Sequence, residues 1–235
     1  MNKYPLNRRI FLWTSLGTAL GMSSRQAKAS SDRENSSARQ MKPQTRTRLV
    51  DQPQVKRDFR KDGRSRKVVF VAHCVLNQNA RHVDCADFPA LMKPLLAALE
   101  AQEIGIIQMP CPELMALGLG RDRDVPPLDT IREALELPEA SSRLQPSLDQ
   151  IVYLVKEYRW QGFEVVGVLG KNGSPSCGVE TTSLKTGLAP GEGVFIRLLR
   201  NRFVKEGIKV GIRGVDDHRQ QEAIDWVSRQ IAHLK

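Results

Sequence analysis

The sequence predicts an α/β protein built on a small, doubly wound, mainly parallel sheet of about four strands with helices on both faces. Short apolar runs rich in β-branched residues recur along residues 67–235, and each is followed by a longer stretch whose apolar residues keep helical spacing. The runs are apolar without alternation, which is typical of strands buried on both faces of a parallel sheet.

The elements follow one another in a regular order. The first strand is predicted at 67–74, where the sequence reads KVVFVAHC. A stripe formed by Leu91, Leu95 and Leu99 predicts a helix at about 88–102, with Pro94 as an irregularity. The same alternation then predicts strand 104–109, helix 147–160, strand 163–169, helix 192–205, strand 208–213 and helix 219–234.

The residues before this domain read as an export leader and a linker. Arg8 and Arg9 precede a short apolar run at 10–22, and Ala27-Lys28-Ala29 offers a cleavage site, so residues 1–29 are predicted to be a twin-arginine-type signal peptide. The apolar run is shorter than the ~20 residues that span a bilayer, so no stable membrane insertion is expected after cleavage. Residues 30–66 predict a disordered basic linker, and residues 67–235 the α/β domain.

Two expectations about location and partners follow from the leader and the charge. Export by the twin-arginine (Tat) machinery would place a folded protein in the periplasm or release it as a secreted protein. The net charge of +10 divides into +5 for residues 1–29, +7 for 30–67 and −2 for 68–235. Because a nucleic-acid-binding domain needs a cationic face on its folded part, no nucleic-acid partner is expected.

Three of the four cysteines follow predicted strands. Cys74 ends the first strand, Cys111 follows the second and Cys177 lies in the loop after the third, whereas Cys85 approaches the first helix. The carboxyl ends of parallel strands lie along one edge of a sheet, where ligands bind. The three thiols are therefore predicted to converge on one site.

Three kinds of site remain open for this trio. Disulfides suit an exported chain with an even number of cysteines, although a domain of this size does not need them. Zinc favours thiolates paired as C-x-x-C, which this sequence lacks, and would need His73 or His82 as a further ligand. An iron–sulfur cubane normally takes four thiolates, so three would leave one iron open, and export of a folded protein agrees with a cluster loaded beforehand.

Three segments then carry a family resemblance. Residues 74–81 read CVLNQNAR, 111–113 read CPE and 174–178 read SPSCG. In this order and approximate spacing they resemble the signature segments of the 2-thiouracil desulfurase family, over residues 67–215. The resemblance implies a 4Fe-4S cluster held by Cys74, Cys111 and Cys177, and a thiolated small-molecule substrate whose sulfur binds the open iron. The loops at 80–84 and 118–124 depart from the family pattern, which indicates a divergent, exported branch.

The reaction expected from this resemblance is a non-redox hydrolytic C–S cleavage at the open iron, with a carboxylate as the base that activates water. Glu113 is the preferred base, ahead of Asp84 and Asp216. Asn77 and Ser176 are expected to donate hydrogen bonds to the cluster or the substrate.

Two further hypotheses come from other functional classes. An exported protein that carries a cluster or sulfur, and passes electrons or sulfide to an acceptor, would follow if Cys85 closed the fourth iron. An enzyme without metal would use a strand-end cysteine as its nucleophile. Arg121 and Arg123 are candidates for binding a substrate anion, although an exposed charged loop is the ordinary interpretation of such a segment.

Overall fold

The computed structural model describes residues 62–121 and 130–233. The predicted signal peptide, the predicted linker up to residue 61 and Arg123 lie outside the described residues. Among the residues it describes, no helix combines the length and the apolar character that crossing a bilayer requires.

The strands form one parallel sheet and one hairpin. They are β1 Lys67–Ala72, β2 Gly105–Met109, β3 Glu164–Lys171, β4 Thr181–Leu184, β5 Gly187–Pro190 and β6 Ile212–Val215. The sheet has the order β2-β1-β3-β6 with every neighbouring pair parallel. β4 and β5 pair with each other as an antiparallel hairpin.

Helices flank the sheet in two packed groups. In the described ranges they are α1 His73–Leu76, α2 Lys93–Ala101, α3 Pro112–Leu117, α4 Ile131–Glu136, α5 Pro138–Trp160, α6 Val194–Lys205 and α7 Gln220–Ala232. α2 packs with α7, and α5 packs with α3, α4 and α6. This architecture confirms the predicted α/β fold with a mainly parallel sheet.

Burial explains why the central strands carry unbroken apolar runs. Val69, Phe70 and Val71 of β1 have no exposed surface, and β3 is buried along its whole length except at Glu164. A central strand covered by helices on both faces has no solvent side, so its sequence does not alternate. β2 is an edge strand and is more exposed.

Element ends differ from prediction at three places, two of which bear on the site. β1 stops at Ala72, so Cys74 lies in the short helix α1 instead of ending a strand. β3 continues to Lys171, two residues beyond the predicted end at 169. Pro94 is not an irregularity: α2 begins at Lys93, and Pro94 occupies its first turn, where its missing N–H is not needed.

Several shorter elements were not expected from the sequence. The helices α3 and α4, of six residues each, and the β4–β5 hairpin fall in stretches without a clear apolar period. α5 is longer than the predicted helix 147–160 and contains Pro146. β6 begins at Ile212 instead of 208.

Candidate functional site

The carboxyl ends of three adjacent strands deliver three cysteines to one cavity. Cys74 follows β1 in α1, Cys111 precedes α3 directly after β2, and Cys177 lies in the loop after β3. All three line a single cavity of about 390 Å³. The predicted convergence of the three cysteines is therefore present, and none of the four cysteines forms a disulfide.

Burial keeps these thiols protonated. It raises the pKa of Cys74 to about 12, and the nearby Cys111 adds to this shift. Burial also raises the pKa of Cys111, and it raises the pKa of Cys177 well above the ordinary value, with Cys74 and Cys111 as further causes. The three thiols thus lie close enough to influence one another electrostatically. A metal group that bound them would displace their protons.

Glu113 forms the centre of a polar network beside the thiols. It lies in the first turn of α3 and is 8% exposed. Its Oε1 accepts hydrogen bonds from Ser176 Oγ at 2.7 Å and from Ser174 Oγ at 3.2 Å. Its Oε2 lies 2.7 Å from Arg121 Nε. That Nε–H is not directed at a hydrogen-bond acceptor, so the contact is an ion pair of close charges and not an aligned hydrogen bond.

Arg121 is a buried residue that joins three segments of the site. Only 1% of its surface is exposed, which corrects the expectation of an exposed charged loop at this position. Its Nη2 donates to the carbonyl of Ala80 at 2.6 Å and to Cys111 Sγ at 3.6 Å. The guanidinium also forms the ion pair with Glu113. Arg121 therefore connects Ala80, in the segment after α1, to both Cys111 and Glu113.

The loop that carries Cys177 is held by its own hydroxyls and by α6. Ser174 Oγ accepts from the backbone N–H groups of Ser176 at 3.2 Å and Cys177 at 3.0 Å. The first N–H groups of α6 donate to this loop: Val194 to the carbonyl of Pro175, and Phe195 to that of Ser176, both at 3.0 Å. The helix end and the loop therefore satisfy each other's backbone groups.

A second charged group lines the cavity and was missed by sequence reasoning. Lys171, at the end of β3, is 4% exposed, and its Nζ lies 2.7 Å from Asp217 Oδ2. Arg81 Nη1 lies 3.1 Å from Asp217 Oδ1. Burial alone would raise the pKa of Asp217, but Lys171 and Arg81 outweigh it and lower that pKa. We call Lys171, Asp217 and Arg81 the Lys171 cluster.

Other predicted site residues lie outside the cavity lining. Asn77 is exposed, and its side chain accepts hydrogen bonds from the N–H and the amide of Asn79. Asp84 is exposed and has a positive φ, and Asp216 pairs with Arg219. Neither carboxylate lines the cavity described here, whereas the exposed thiol of Cys85 does.

The cysteines of the cavity suit a cluster and not a single metal ion. Within 62–121 and 130–233, no three side chains among His, Cys, Asp and Glu are grouped to hold a single metal ion. A cubane differs because each thiolate binds a different iron, so its ligands lie around a larger body. Three free thiols line one cavity, those of Cys111 and Cys177 buried and that of Cys74 partly buried, and they fit the donor set of such a cluster.

Comparisons with known proteins give distant likenesses. No protein-family model matches the chain. An uncharacterized protein of Methanocaldococcus jannaschii is 24% identical over 116 residues, which cover 49% of this chain and 70% of that protein. The solved structure of a 4Fe-4S-dependent thiouracil desulfidase is 22% identical, with a TM-score of 0.43, covering 69% of this chain and 99% of that one. These values are too low to assign the chain to a family.

Proposed function

We propose that this chain is an iron–sulfur-dependent enzyme that removes sulfur from the thiocarbonyl group of a small thiolated heterocycle by hydrolysis. The observation that carries the proposal is the presence of three free thiols, from the ends of three neighbouring parallel strands, on one cavity. The three sequence segments that resemble the desulfurase family supply these thiols together with Glu113 and Ser176, which are in contact with each other.

The residues that would hold a 4Fe-4S cluster are Cys74, Cys111 and Cys177. When bound through three thiolates, such a cluster supplies an open Lewis-acidic iron for the sulfur of the substrate. The cavity volume of about 390 Å³ lies within the range of small-ligand sites.

Glu113 and the side chains that contact it would activate the attacking water and transfer its protons. In the overall reaction the oxygen of water bonds to the thiocarbonyl carbon, the C–S bond breaks, and both protons of the water end on sulfur as hydrogen sulfide. No electrons are gained or lost. Glu113 Oε1 accepts the first proton, Ser174 and Ser176 orient that oxygen, and Arg121 fixes the other oxygen of the carboxylate.

A second candidate function is an exported protein that carries a cluster or sulfur without catalysis. The observation that favours it is that Cys85 lines the same cavity as the other thiols. A fourth thiolate would close the open iron, and a closed cluster transfers electrons instead of binding substrate.

The test is to change each cysteine to serine in the full chain, reconstitute it anaerobically, and measure iron, sulfide and absorbance near ~400 nm. We expect Cys74→Ser, Cys111→Ser and Cys177→Ser to lose the cluster, and the matched control Cys85→Ser to retain it and to release sulfide from 2-thiouracil. Loss of the cluster in Cys85→Ser would favour the second candidate. A colourless wild-type protein after full reconstitution would reject both.

Glu113→Gln separates catalysis from cluster binding. It keeps the shape of the side chain but cannot take up a proton, so we expect iron content to be unchanged and sulfide release to fall by on the order of 100-fold or more. Glu206→Gln, outside the cavity, is the matched control and is expected to have wild-type activity. Full activity in Glu113→Gln would exclude this carboxylate as the base.

A further inference from the structure

The Lys171 cluster forms a part of the cavity that the proposed chemistry does not use. Lys171, Asp217 and Arg81 all line the cavity together with Cys74 and Glu113. The three residues come from β3, from the segment after β6 and from the segment after α1, so the fold brings them together from distant parts of the chain.

The cluster carries more positive than negative charge. Two cations, Lys171 and Arg81, share the single carboxylate of Asp217. A second carboxylate, that of Asp87, lies 3.6 Å from Arg81 and also contacts Asp217, but its side chain is 40% exposed and it is not part of the cavity lining, so within the lining two cations face one carboxylate. Because the lining itself offers one carboxylate to these two cations, the excess charge favours a further anion in the cavity.

Lys171 also has a free donor. Its ammonium group carries three N–H donors. Its Nζ donates to the carbonyl of Asn172 at 2.9 Å and forms an ion pair with Asp217 Oδ2. In the part of the chain that the structure describes, no acceptor contacts the third.

The rest of the described lining offers no free carboxylate to remove this excess, although the thiolates of a bound cluster would offset part of it. Glu113 is already paired with Arg121. Arg132, also in the lining, donates to Thr182 Oγ1 and to the carbonyl of Glu192. Its Nε lies 3.7 Å from the carboxylate of Glu136, which is not part of the lining. The described lining thus holds four cations and two carboxylates: Arg81, Arg121, Arg132 and Lys171 against Glu113 and Asp217.

We propose that Lys171 and Arg81 bind an anionic group of the substrate, so that the preferred substrates are thiocarbonyl compounds that carry a carboxylate. The reaction rests on the proposed function, whereas the anion site rests on the Lys171 cluster. A carboxylate would accept the free N–H of Lys171 and a guanidinium N–H of Arg81 in place of water.

The experiment compares two probes that differ by one carboxylate, 2-thiouracil and 2-thiouracil-6-carboxylate, at a pH where the thiouracil ring is neutral. Binding to the anaerobically reconstituted full chain is measured by equilibrium dialysis. We expect the carboxylate probe to bind about tenfold or more tightly. Lys171→Met should abolish this preference with iron content unchanged, and Lys171→Arg should restore it in part. Lys156→Met, a lysine paired with Glu206 outside the cavity, is the matched control and should keep the full preference.

The outcomes distinguish this inference from the function it builds on. Equal affinity for the two probes, or a preference that survives in Lys171→Met, would overturn it. The inference would also be overturned if wild-type protein bound the two probes equally and Lys171→Met lost its iron. The two cations would then stabilise the cluster and not bind a substrate anion. If Lys171→Met does not fold, Arg81→Met is measured instead. Loss of the carboxylate preference in Arg81→Met would support the inference, and an unchanged preference would overturn it. A carboxylate preference without sulfide release from either probe would leave the anion site standing and reject the proposed reaction.

Discussion

Burial is the main influence on the three cavity thiols. A thiol enclosed by protein atoms is disfavoured as an anion, and each ionised neighbour would disfavour it further. The pKa of Cys177 is raised well above the ordinary value, and that of Cys74 is raised to about 12 although Arg81 and Lys171 act in the opposite direction. The thiols are therefore stable as neutral groups in the metal-free protein, and loading a metal group must release protons.

The raised pKa predicts a loss of stability at alkaline pH. The folded pKa of Cys74, about 12, lies above the value of an unfolded thiol, so the neutral buried thiol contributes stability fully below about pH 8.5, and this contribution is lost as the pH rises towards 12. We expect the stability difference between metal-free wild-type protein and Cys74→Ala, measured by urea unfolding, to shrink above about pH 8.5, by at most about 1.4 kcal/mol per pH unit. The control Val75→Ala shortens a buried side chain that has no proton to lose, so its effect on stability should show no such trend. A difference that stays constant with pH would contradict the assignment of a buried neutral thiol.

At the scale of single residues, the sequence predicts site residues where a strand-end position coincides with a sequence motif. Cys111, Cys177 and Glu113 follow strand ends, and the parallel topology brings such residues together. Lys171 was missed because β3 continues past its apolar run, and a lysine at a strand end reads as a solvent-exposed end of the element. The burial of Arg121 depends on the carbonyl of Ala80 and the carboxylate of Glu113, which no local pattern connects to it.

At the scale of elements, the site depends on a close packing of α6 against the loop that holds Cys177. Gly193 precedes α6, and a Cβ there would clash with the backbone carbonyl of Ser176 and lie 2.9 Å from the N of Cys177. Glycine is required here because two backbone segments approach each other and not because of an unusual φ. The position of the Cys177 loop is thus linked to the packing of a whole helix.

Gly193→Ala tests this link. The added methyl must push α6 away from the Cys177 loop, so we expect a loss of about 1–3 kcal/mol in stability, seen as a lower Tm, together with weaker retention of iron. The matched control is Gly63→Ala, because nothing lies within 4 Å of a Cβ at that position. An unchanged Tm and unchanged iron content in Gly193→Ala would show that the loop does not depend on this contact.

The fold itself could be predicted to the extent that its elements are long and periodic. The strands β1 and β3 and the helices α2, α6 and α7 follow apolar patterns of clear period, so their existence and order could be read from the sequence. α3, α4 and the β4–β5 hairpin could not, because elements of four to six residues contain too few positions to show a period. Their ends are determined by tertiary contacts, such as those of α3 with α5.

At the scale of the whole molecule, charge is divided unevenly along the chain. Residues 68–235 carry a net charge of −2, whereas residues 1–29 carry +5 with no acidic residue. The excess of positive charge therefore lies outside residues 68–235, and it gives no support to a cationic nucleic-acid-binding face on that part of the chain. The basic cluster at Arg8 and Arg9, followed by a short apolar run, is the pattern from which an export leader is predicted.

We propose that the chain is exported folded, with its cofactor already bound, and this gives a prediction for the leader. Twin-arginine export depends on the arginine pair itself, so Arg8→Lys combined with Arg9→Lys keeps the charge and should retain the protein in the cytoplasm. Cell fractionation of the full chain measures this, and Arg25→Lys, which lies in the leader but outside the pair, should be exported like wild type. Export of the double variant at the wild-type level would reject the twin-arginine route.

If the domain must fold around a cluster first, Cys111→Ser, which removes a proposed ligand, should also reduce the exported fraction, whereas Cys85→Ser should not.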